Sequence, residues 1–500
     1  MTFGATSNDF GSDMSVNPRT GEPQGSVQHT TPAQVELLLG TARLAAPAVA
    51  QSSPQTRHGW IAAISHALLE NEDELVRVAD EETGLGDVRL RGELKKAAAS
   101  ALFYAEVGLD GAYLDASFET IDPTISLGRW NVPLGPIAIY TASNFPFGFG
   151  VAGHDLASAL AAGCPVIVKA HSAQPRLSHV LGTVIADALN AQGAPKGVFA
   201  IVFGFEAGLQ LVDSPVIKAV SFTGGQSGGM AIFERGAKRG IPVFAEMGTV
   251  NPAFVTPAAA AIRADEIAAG FVASFTLGAG QFCTKPGMLF APAGSGMFET
   301  VKSLLAAVPT APLLTARMAD SFIRGIHSMN VALGITIAET GFETDSATKA
   351  DAPRSFAVTP QVFRVTLNDL RTKPILLEEC FGPVALVCEY DTVNDAIDTV
   401  STLQPSLAGS VFSGGDQDAV ADRAVAQLLT QTGRVAVNAW TTGVVTSWSM
   451  QHGGPWPSTS NAQATSVGAG ALKRFVRPVS LQNPSPSQLP PALQSKGPLP

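Results

Sequence analysis

From residue 136 onward, short runs rich in Val, Ile, Ala and Phe alternate with longer runs of helical periodicity, and this alternation restricts the chain more than any other feature. The apolar runs 137–140, 166–169, 200–203, 219–222 and 243–246 are separated by helical stretches such as 151–162 and 178–190. Short strands that alternate with helices predict an α/β fold, a parallel sheet wrapped on both faces, because each parallel crossover needs a connection long enough to return across the sheet. A second alternating block from about Ala253 to His452 predicts a second unit of the same kind. Upstream, residues 32–108 carry apolar side chains at helical spacing (Ile61, Ile64, Leu68, Leu69) and predict a helical layer. Residues 117–130 and 474–482 read as strands, and the Pro- and Ser-rich stretch 484–500 reads as a disordered tail.

With 500 residues and 46% hydrophobic content the chain can bury more than one core. It has no uninterrupted apolar run of membrane-spanning length, so no membrane partner is expected. A formal charge of −10 argues against nucleic acid, which calls for a basic surface. Residues 1–13 lack the basic start and apolar centre of a secretory signal and read as an irregular N-terminus. Cys164, Cys283, Cys380 and Cys388 form no CxxC pair and show no clustering with histidine along the sequence, so no metal is expected and a reduced, cytoplasmic setting fits.

Some residues suggest chemistry on their own. Cys283 follows Gly278 and Gly280, which permit a tight turn and close backbone approach; a buried structural thiol is the alternative, preferred for the other three cysteines. Asn144 and Glu246 fall just beyond or at the ends of predicted strands, the edge where open α/β sheets hold ligands. Taken alone, Asn144 is better explained by the turn before Pro146, and a solvated strand-end acid is the alternative for Glu246. The run Phe222-Thr-Gly-Gly-Gln-Ser-Gly-Gly229 joins a strand to a helix, where Gly224, Gly225 and Gly229 can bring backbone N–H groups to a pyrophosphate.

Read together, Asn144-Phe-Pro, Glu246-Met-Gly, Gly280-Gln-Phe-Cys283 and Glu378-Glu-Cys-Phe-Gly-Pro383 resemble the aldehyde dehydrogenase superfamily, a likeness that extends over residues 17–482. The resemblance implies two parallel-sheet α/β domains with a small β oligomerisation element. Residues 1–117 and 134–246 would bind the cofactor, 247–465 would form the catalytic domain, and 118–133 with 466–483 would build a homodimer or homotetramer. It implies Cys283 as nucleophile, Asn144 as oxyanion donor and Glu246 as the base that activates water, with a raised carboxyl pKa suited to that task. Lys169, His171 and Ser172 would face the adenosine ribose, Gly224, Gly225 and Gly229 the pyrophosphate, and Glu379 and Phe381 the nicotinamide side. Ser172 stands where NAD-preferring members often carry a ribose-gripping glutamate, which favours NADP, with NAD as the alternative. His171 could equally cap the segment that follows it. Asn438-Ala-Trp-Thr-Thr-Gly, His452-Gly-Gly-Pro-Trp-Pro-Ser-Thr and Arg474-Phe-Val-Arg-Pro are similar to the branch that oxidises 2-oxoglutarate semialdehyde (2,5-dioxovalerate). A small-molecule ω-semialdehyde is therefore the expected substrate, with Arg129, Arg434, His452 and Arg474 as candidates for its remote carboxylate. An aldehyde dehydrogenase of another substrate range, a cysteine hydrolase and a non-catalytic protein on the same fold are the alternatives.

Overall fold

The computed structural model describes residues 11–335, 354–490 and Leu493. Four helices open the chain after a short antiparallel pair (Ser12–Val16 with Pro23–Gln28): Pro32–Gln51, Pro54–Glu70, Glu72–Thr83 and Asp87–Asp110. The first begins at a reciprocal capping box between Thr31 and Gln34, and the second is capped by Ser53, each with proline in the first turn where its missing N–H costs nothing. Ile61, Ile64 and Leu68 point into the core and are at most 2% exposed, whereas Leu69 falls off that stripe and lies on the surface. Each fully buried aliphatic side chain contributes about 1.5–3 kcal/mol.

The first parallel sheet has the order Phe199–Val202, Val166–Lys169, Ile137–Tyr140, Ala219–Gly224, Val243–Met247. Chain direction across the sheet reverses between Ile137–Tyr140 and Ala219–Gly224, so the loops after these two strands diverge and leave a crevice at their carboxyl ends. The second sheet is six-stranded and parallel: Gln361–Thr366, Val384–Tyr390, Pro286–Pro292, Asn251–Val255, Ser406–Phe412, Thr432–Val437. Its central strands read as continuous apolar runs because both faces are covered. A small antiparallel sheet, Val476–Gln482, Ile125–Pro133 and Ser117–Asp122, stands apart from both.

Four expectations need correction. The helix expected over 151–162 starts only at His154, because a Cβ at Gly150 or Gly153 would fall 1.9 or 2.3 Å from the carbonyl oxygens of Pro146 and Gly148; the chain is folded back on itself there. The final strand starts at Val476, since Ala469–Phe475 winds as a 3₁₀ segment that buries Leu472 and Phe475. Residues 12–16 are a strand, with Asp13 held by His29 at 3.1 Å. Finally, the described part of the tail is structured: Pro486–Gln488 is a 3₁₀ turn, and Leu489 and Leu493 are buried against the helical core.

Candidate active site

The carboxyl edge of the five-stranded sheet faces the amino edge of the six-stranded one, and a cavity of about 980 Å³ lies between them. Asn144, Glu246, Cys283, His171, Ser172, Gly224, Gly225, Glu379 and Phe381 all line it. Lys169 and Gly229 are not among its lining residues.

Cys283 sits just before strand Pro286–Pro292, on a loop with three successive left-handed residues: Gly278 (φ 56°), Ala279 (φ 56°) and Gly280 (φ 66°). Gly280 is required twice over, for its φ and because a Cβ would lie 2.3 Å from the carbonyl oxygen of Gly382. Ala279 holds a conformation unusual for an L residue, a local cost that the surrounding bonds must offset. Those bonds are present. Asn251 Nδ2 donates to the carbonyls of Cys283 and Lys285 (both 2.9 Å), Gln281 Oε1 accepts from Leu314 N–H (3.0 Å), and Asn144 Nδ2 donates to the Gln281 carbonyl (3.0 Å). Asn144 thus lies beside the loop that carries Cys283, with its amide against it. Burial pushes the Cys283 thiol well above its ordinary range, the carboxylates of Glu246 and Glu379 push it further, and Arg434 counteracts them.

Glu246 lies on Val243–Met247, opposite Thr223 of the neighbouring strand. Its carboxylate is 5% exposed, one oxygen accepts a short hydrogen bond from Ser466 Oγ, and the other lies 3.0 Å from His452 Nε2. Burial raises the carboxyl pKa, but His452, Ser466 and the more distant Arg474 together outweigh it and hold it below the ordinary value. This corrects the expectation of a raised pKa, which took account of burial but not of the neighbours that the fold supplies. The same Nε2 of His452 is 3.6 Å from Cys283 Sγ. The sulfur, the imidazole nitrogen and a Glu246 oxygen all lie within 4.8 Å of one another, a cysteine–histidine cluster that sequence spacing did not reveal.

At the other end of the cavity, Gly225 is the N-cap of helix Gln226–Lys238, with no side chain capping its first turn and open space around its Cα. A pyrophosphate fits this backbone cradle. Gly229 has another role: its N–H bonds the Gly225 carbonyl (3.0 Å) as the first turn of the helix, and a Cβ would meet Met247 Sδ at 2.7 Å, so it allows close helix–strand packing. His171 Nδ1 accepts from Ala173 N–H (3.1 Å), and burial followed by the charge of Lys169 pulls its pKa down to about 4. It is a neutral turn cap at the cavity wall. Glu379 packs on Gly248, where a Cβ would lie 2.0 Å from its carboxylate, and burial pushes its carboxyl up to about 7 against the opposing charge of Lys285.

Sequence reasoning missed Lys285, His452's role beside sulfur, and Arg89. Lys285 Nζ donates to the carbonyls of Cys380 (3.2 Å), Gly382 (2.7 Å) and Val384 (2.9 Å), tying the Cys283 loop to the Glu379–Phe381 loop. Arg89 donates through Nη2 to the Asn144 carbonyl (2.8 Å) and lies over the rings of Phe145 and Phe282 at 5.4 and 5.0 Å. Its buried Nη1 has no hydrogen-bond partner among the described residues. Of the four candidates for a remote carboxylate, Arg129 is bound to Asp115 (3.0 Å) on the small sheet, and Arg474 is buried in an ion pair with Asp155 (2.7 Å). Both are removed from the cavity lining. Arg434 donates to the Gly443 carbonyl (3.0 Å) and acts on Cys283 through its charge.

The aldehyde dehydrogenase family model matches residues 6–477. The chain belongs to the aldehyde dehydrogenase family. It is 37% identical over 99% of its length to alpha-ketoglutaric semialdehyde dehydrogenase 2 of Azospirillum brasilense, of which 96% is covered. It is 35% identical over 90% of its length to alpha-ketoglutaric semialdehyde dehydrogenase of Acinetobacter baylyi, of which 86% is covered. Its fold matches the crystal structure of a betaine aldehyde dehydrogenase from Staphylococcus aureus with a TM-score of 0.81 at 21% identity, covering 95% of this chain and 93% of that one. As a member of this family it is an NAD(P)-dependent aldehyde dehydrogenase acting on a small aldehyde. Among the described residues no helix is long and apolar enough to cross a membrane.

Proposed function

We propose that this enzyme oxidises 2-oxoglutarate semialdehyde to 2-oxoglutarate and prefers NADP. What supports the substrate most is the likeness to two alpha-ketoglutaric semialdehyde dehydrogenases over nearly the whole chain. Arg89 stands behind the lining residues Asn144 and Phe145 rather than in the lining itself, and its buried charge with a spare donor makes it the candidate partner for the remote carboxylate. The absence of a carboxylate at Ser172, on the cavity wall, favours a cofactor bearing a 2′-phosphate. The five-stranded unit with Ser172, Gly224, Gly225 and Glu379 would hold the dinucleotide, and the six-stranded unit carries the nucleophile. The small antiparallel sheet, with Ile121 exposed, is the proposed contact between subunits of a dimer or tetramer.

Bound nicotinamide supplies the hydride acceptor. The thiolate of Cys283 attacks the aldehyde carbon, and the Asn144 amide, released from the Gln281 carbonyl, donates to the oxygen as it becomes negative, together with the Cys283 backbone N–H. Loss of hydride from the thiohemiacetal leaves a thioester on Cys283. Glu246 takes a proton from water, hydroxide adds to the thioester carbonyl, and the thiolate departs as the carboxylic acid forms. Mixing the enzyme with NADP or NAD and a panel of aldehydes tests the reading. 2-Oxoglutarate semialdehyde should exceed uncharged aldehydes of similar length in kcat/KM by about one to two powers of ten, the worth of a charge-assisted bond of about 1.5–3 kcal/mol. Equal kcat/KM for simple aldehydes would overturn the substrate assignment.

A further inference from the structure

We propose that Cys283, His452 and Glu246 form a site for a thiophilic divalent cation of the zinc class, and that its occupancy reversibly shuts the enzyme off. Binding is inferred from the three side chains themselves; the inhibition rests on Cys283 and Glu246 as the groups that carry the proposed oxidation. One ligand atom from each lies within 4.8 Å of the other two: Cys283 Sγ, His452 Nε2 and a Glu246 carboxylate oxygen. Zinc bonds of about 2.3 Å to sulfur and about 2.0–2.1 Å to nitrogen, opened to the tetrahedral angle, separate those two ligand atoms by about 3.6 Å. Sγ and Nε2 are 3.6 Å apart. The same construction spaces nitrogen and a carboxylate oxygen by about 3.3 Å, and Nε2 lies 3.0 Å from Glu246 Oε1. A second observation points to a ligand. Glu246 is 5% exposed, yet its Oε1 has no hydrogen-bond partner among the described residues, the contact with Nε2 failing in direction rather than distance. A buried anionic lone pair without a donor is costly, and a cation bound there satisfies it.

The three ligands are held from behind. Ser466 Oγ donates to the other Glu246 oxygen, which leaves Oε1 turned to the cluster, and Asn251 Nδ2 donates to the Cys283 carbonyl (2.9 Å). The His452 N–H donates to Thr465 Oγ1 (2.8 Å), and its carbonyl accepts from Ser466 N–H (2.9 Å). Outer bonds of this kind orient ligands and raise metal affinity. A sulfur, a nitrogen and an oxygen suit zinc, whereas magnesium and calcium take oxygen sets. Cys283 and Glu246 line the cavity, so an ion has a route in and a fourth position open to water. On binding, the S–H bond breaks, sulfur keeps the electron pair and shares it with the metal, and the proton leaves to solvent. The imidazole binds through the Nε2 lone pair with its ring proton on Nδ1, and Oε1 gives a lone pair. No group changes oxidation state, and the thiolate and carboxylate together balance the two charges of the ion. The lone pairs needed to attack the aldehyde and to activate water are then both committed to the metal.

The test uses the cofactor-free full-length enzyme, stripped with EDTA and kept free of thiol reductant. Zinc titrated against a chromogenic chelator should reveal one tightly held equivalent. Iodoacetamide labelling read by mass spectrometry should show zinc slowing alkylation of Cys283 by about tenfold or more, while Cys380, another thiol on the cavity wall, keeps its rate. Cobalt(II) in place of zinc should give the thiolate-to-metal charge-transfer absorption of a sulfur ligand, lost in Cys283→Ala and retained in Cys380→Ala. His452→Gln and Glu246→Gln should each weaken zinc by about tenfold or more. Cofactor reduction by an aldehyde should fall in step with the bound equivalent and recover on adding EDTA. Unchanged Cys283 alkylation in the presence of zinc, a cobalt band that survives Cys283→Ala, or full turnover with the zinc equivalent bound overturns the proposal. The alkylation arm needs only the parent protein, so a variant that fails to fold does not blunt it. Absence of turnover in the zinc-free enzyme with every aldehyde would be a failure of the proposed oxidation instead, and the zinc titration would still decide the site.

Discussion

Glu246→Gln separates the two halves of the reaction. The substitution retains volume in a site that is 5% exposed, and the glutamine Oε1 can still accept from Ser466 Oγ, leaving its NH₂ beside His452. Position is retained and basicity is lost. A positioned general base contributes about 10²–10⁴ in rate, or about 3–5 kcal/mol at 1.36 kcal/mol per power of ten. That cost should fall on hydrolysis of the thioester, the step in which Glu246 takes a proton from water. Rapid mixing of the variant with NADP and semialdehyde should therefore give a burst of reduced cofactor equal to the active sites, followed by a steady state lower by that factor. Acid quenching within the slow phase should yield protein with an acyl mass on the Cys283 peptide. A parental steady-state rate would show that another group activates water, and a slow first turnover without a burst would show that Glu246 acts before hydride transfer.

Arg89→Met removes the unpartnered donor while keeping an apolar stem between Phe145 and Phe282, and should lower kcat/KM for the semialdehyde by about one to two powers of ten while leaving uncharged aldehydes unaffected. Equal losses for both would reduce Arg89 to a support for Asn144. Ser172→Glu puts a carboxylate on the cavity wall and should weaken NADP relative to NAD; an unchanged kcat/KM ratio for the two cofactors would show that the 2′-phosphate is not recognised there. Glu379, with an ordinary value of 4.5 raised to about 7, binds its proton more tightly in the folded chain than in the unfolded one. The resulting stability is present at acid pH and is lost as pH rises through about 7, so the Tm of the cofactor-free parent should fall relative to Glu379→Gln over that window, and an opposite slope would refute the sign.

The alternation that predicts parallel sheets is legible because strand period and crossover length are local properties, and strands such as Ile137–Tyr140 and Val166–Lys169 fall where that alternation puts them. That Cys283, Glu246 and Asn144 line one cavity was expected from the likeness of their short motifs to the family, since strand ends and glycine turns alone left them open. What could not be read depends on distant segments meeting. His452 lies 169 residues from Cys283, and nothing in its local sequence says that it turns toward sulfur. The depressed pKa of Glu246 needs Ser466 and His452 beside it, and Gly229 looks like a phosphate glycine until Met247 is seen packed on it. Arg474 resembles a carboxylate binder until Asp155, buried and 2.7 Å away, accounts for its charge.

Strand Val243–Met247 is the last of its sheet, and its free edge is taken by residues 458–460: Met247 N–H bonds the Ser458 carbonyl (2.8 Å), Ser460 N–H bonds the Ala245 carbonyl (3.0 Å), and Glu246 bridges Thr459. On the ribosome, residue 246 emerges long before residue 458. For that interval the sheet has an open, apolar border that a neighbouring nascent chain could occupy, which makes this border a natural target for chaperone protection during synthesis.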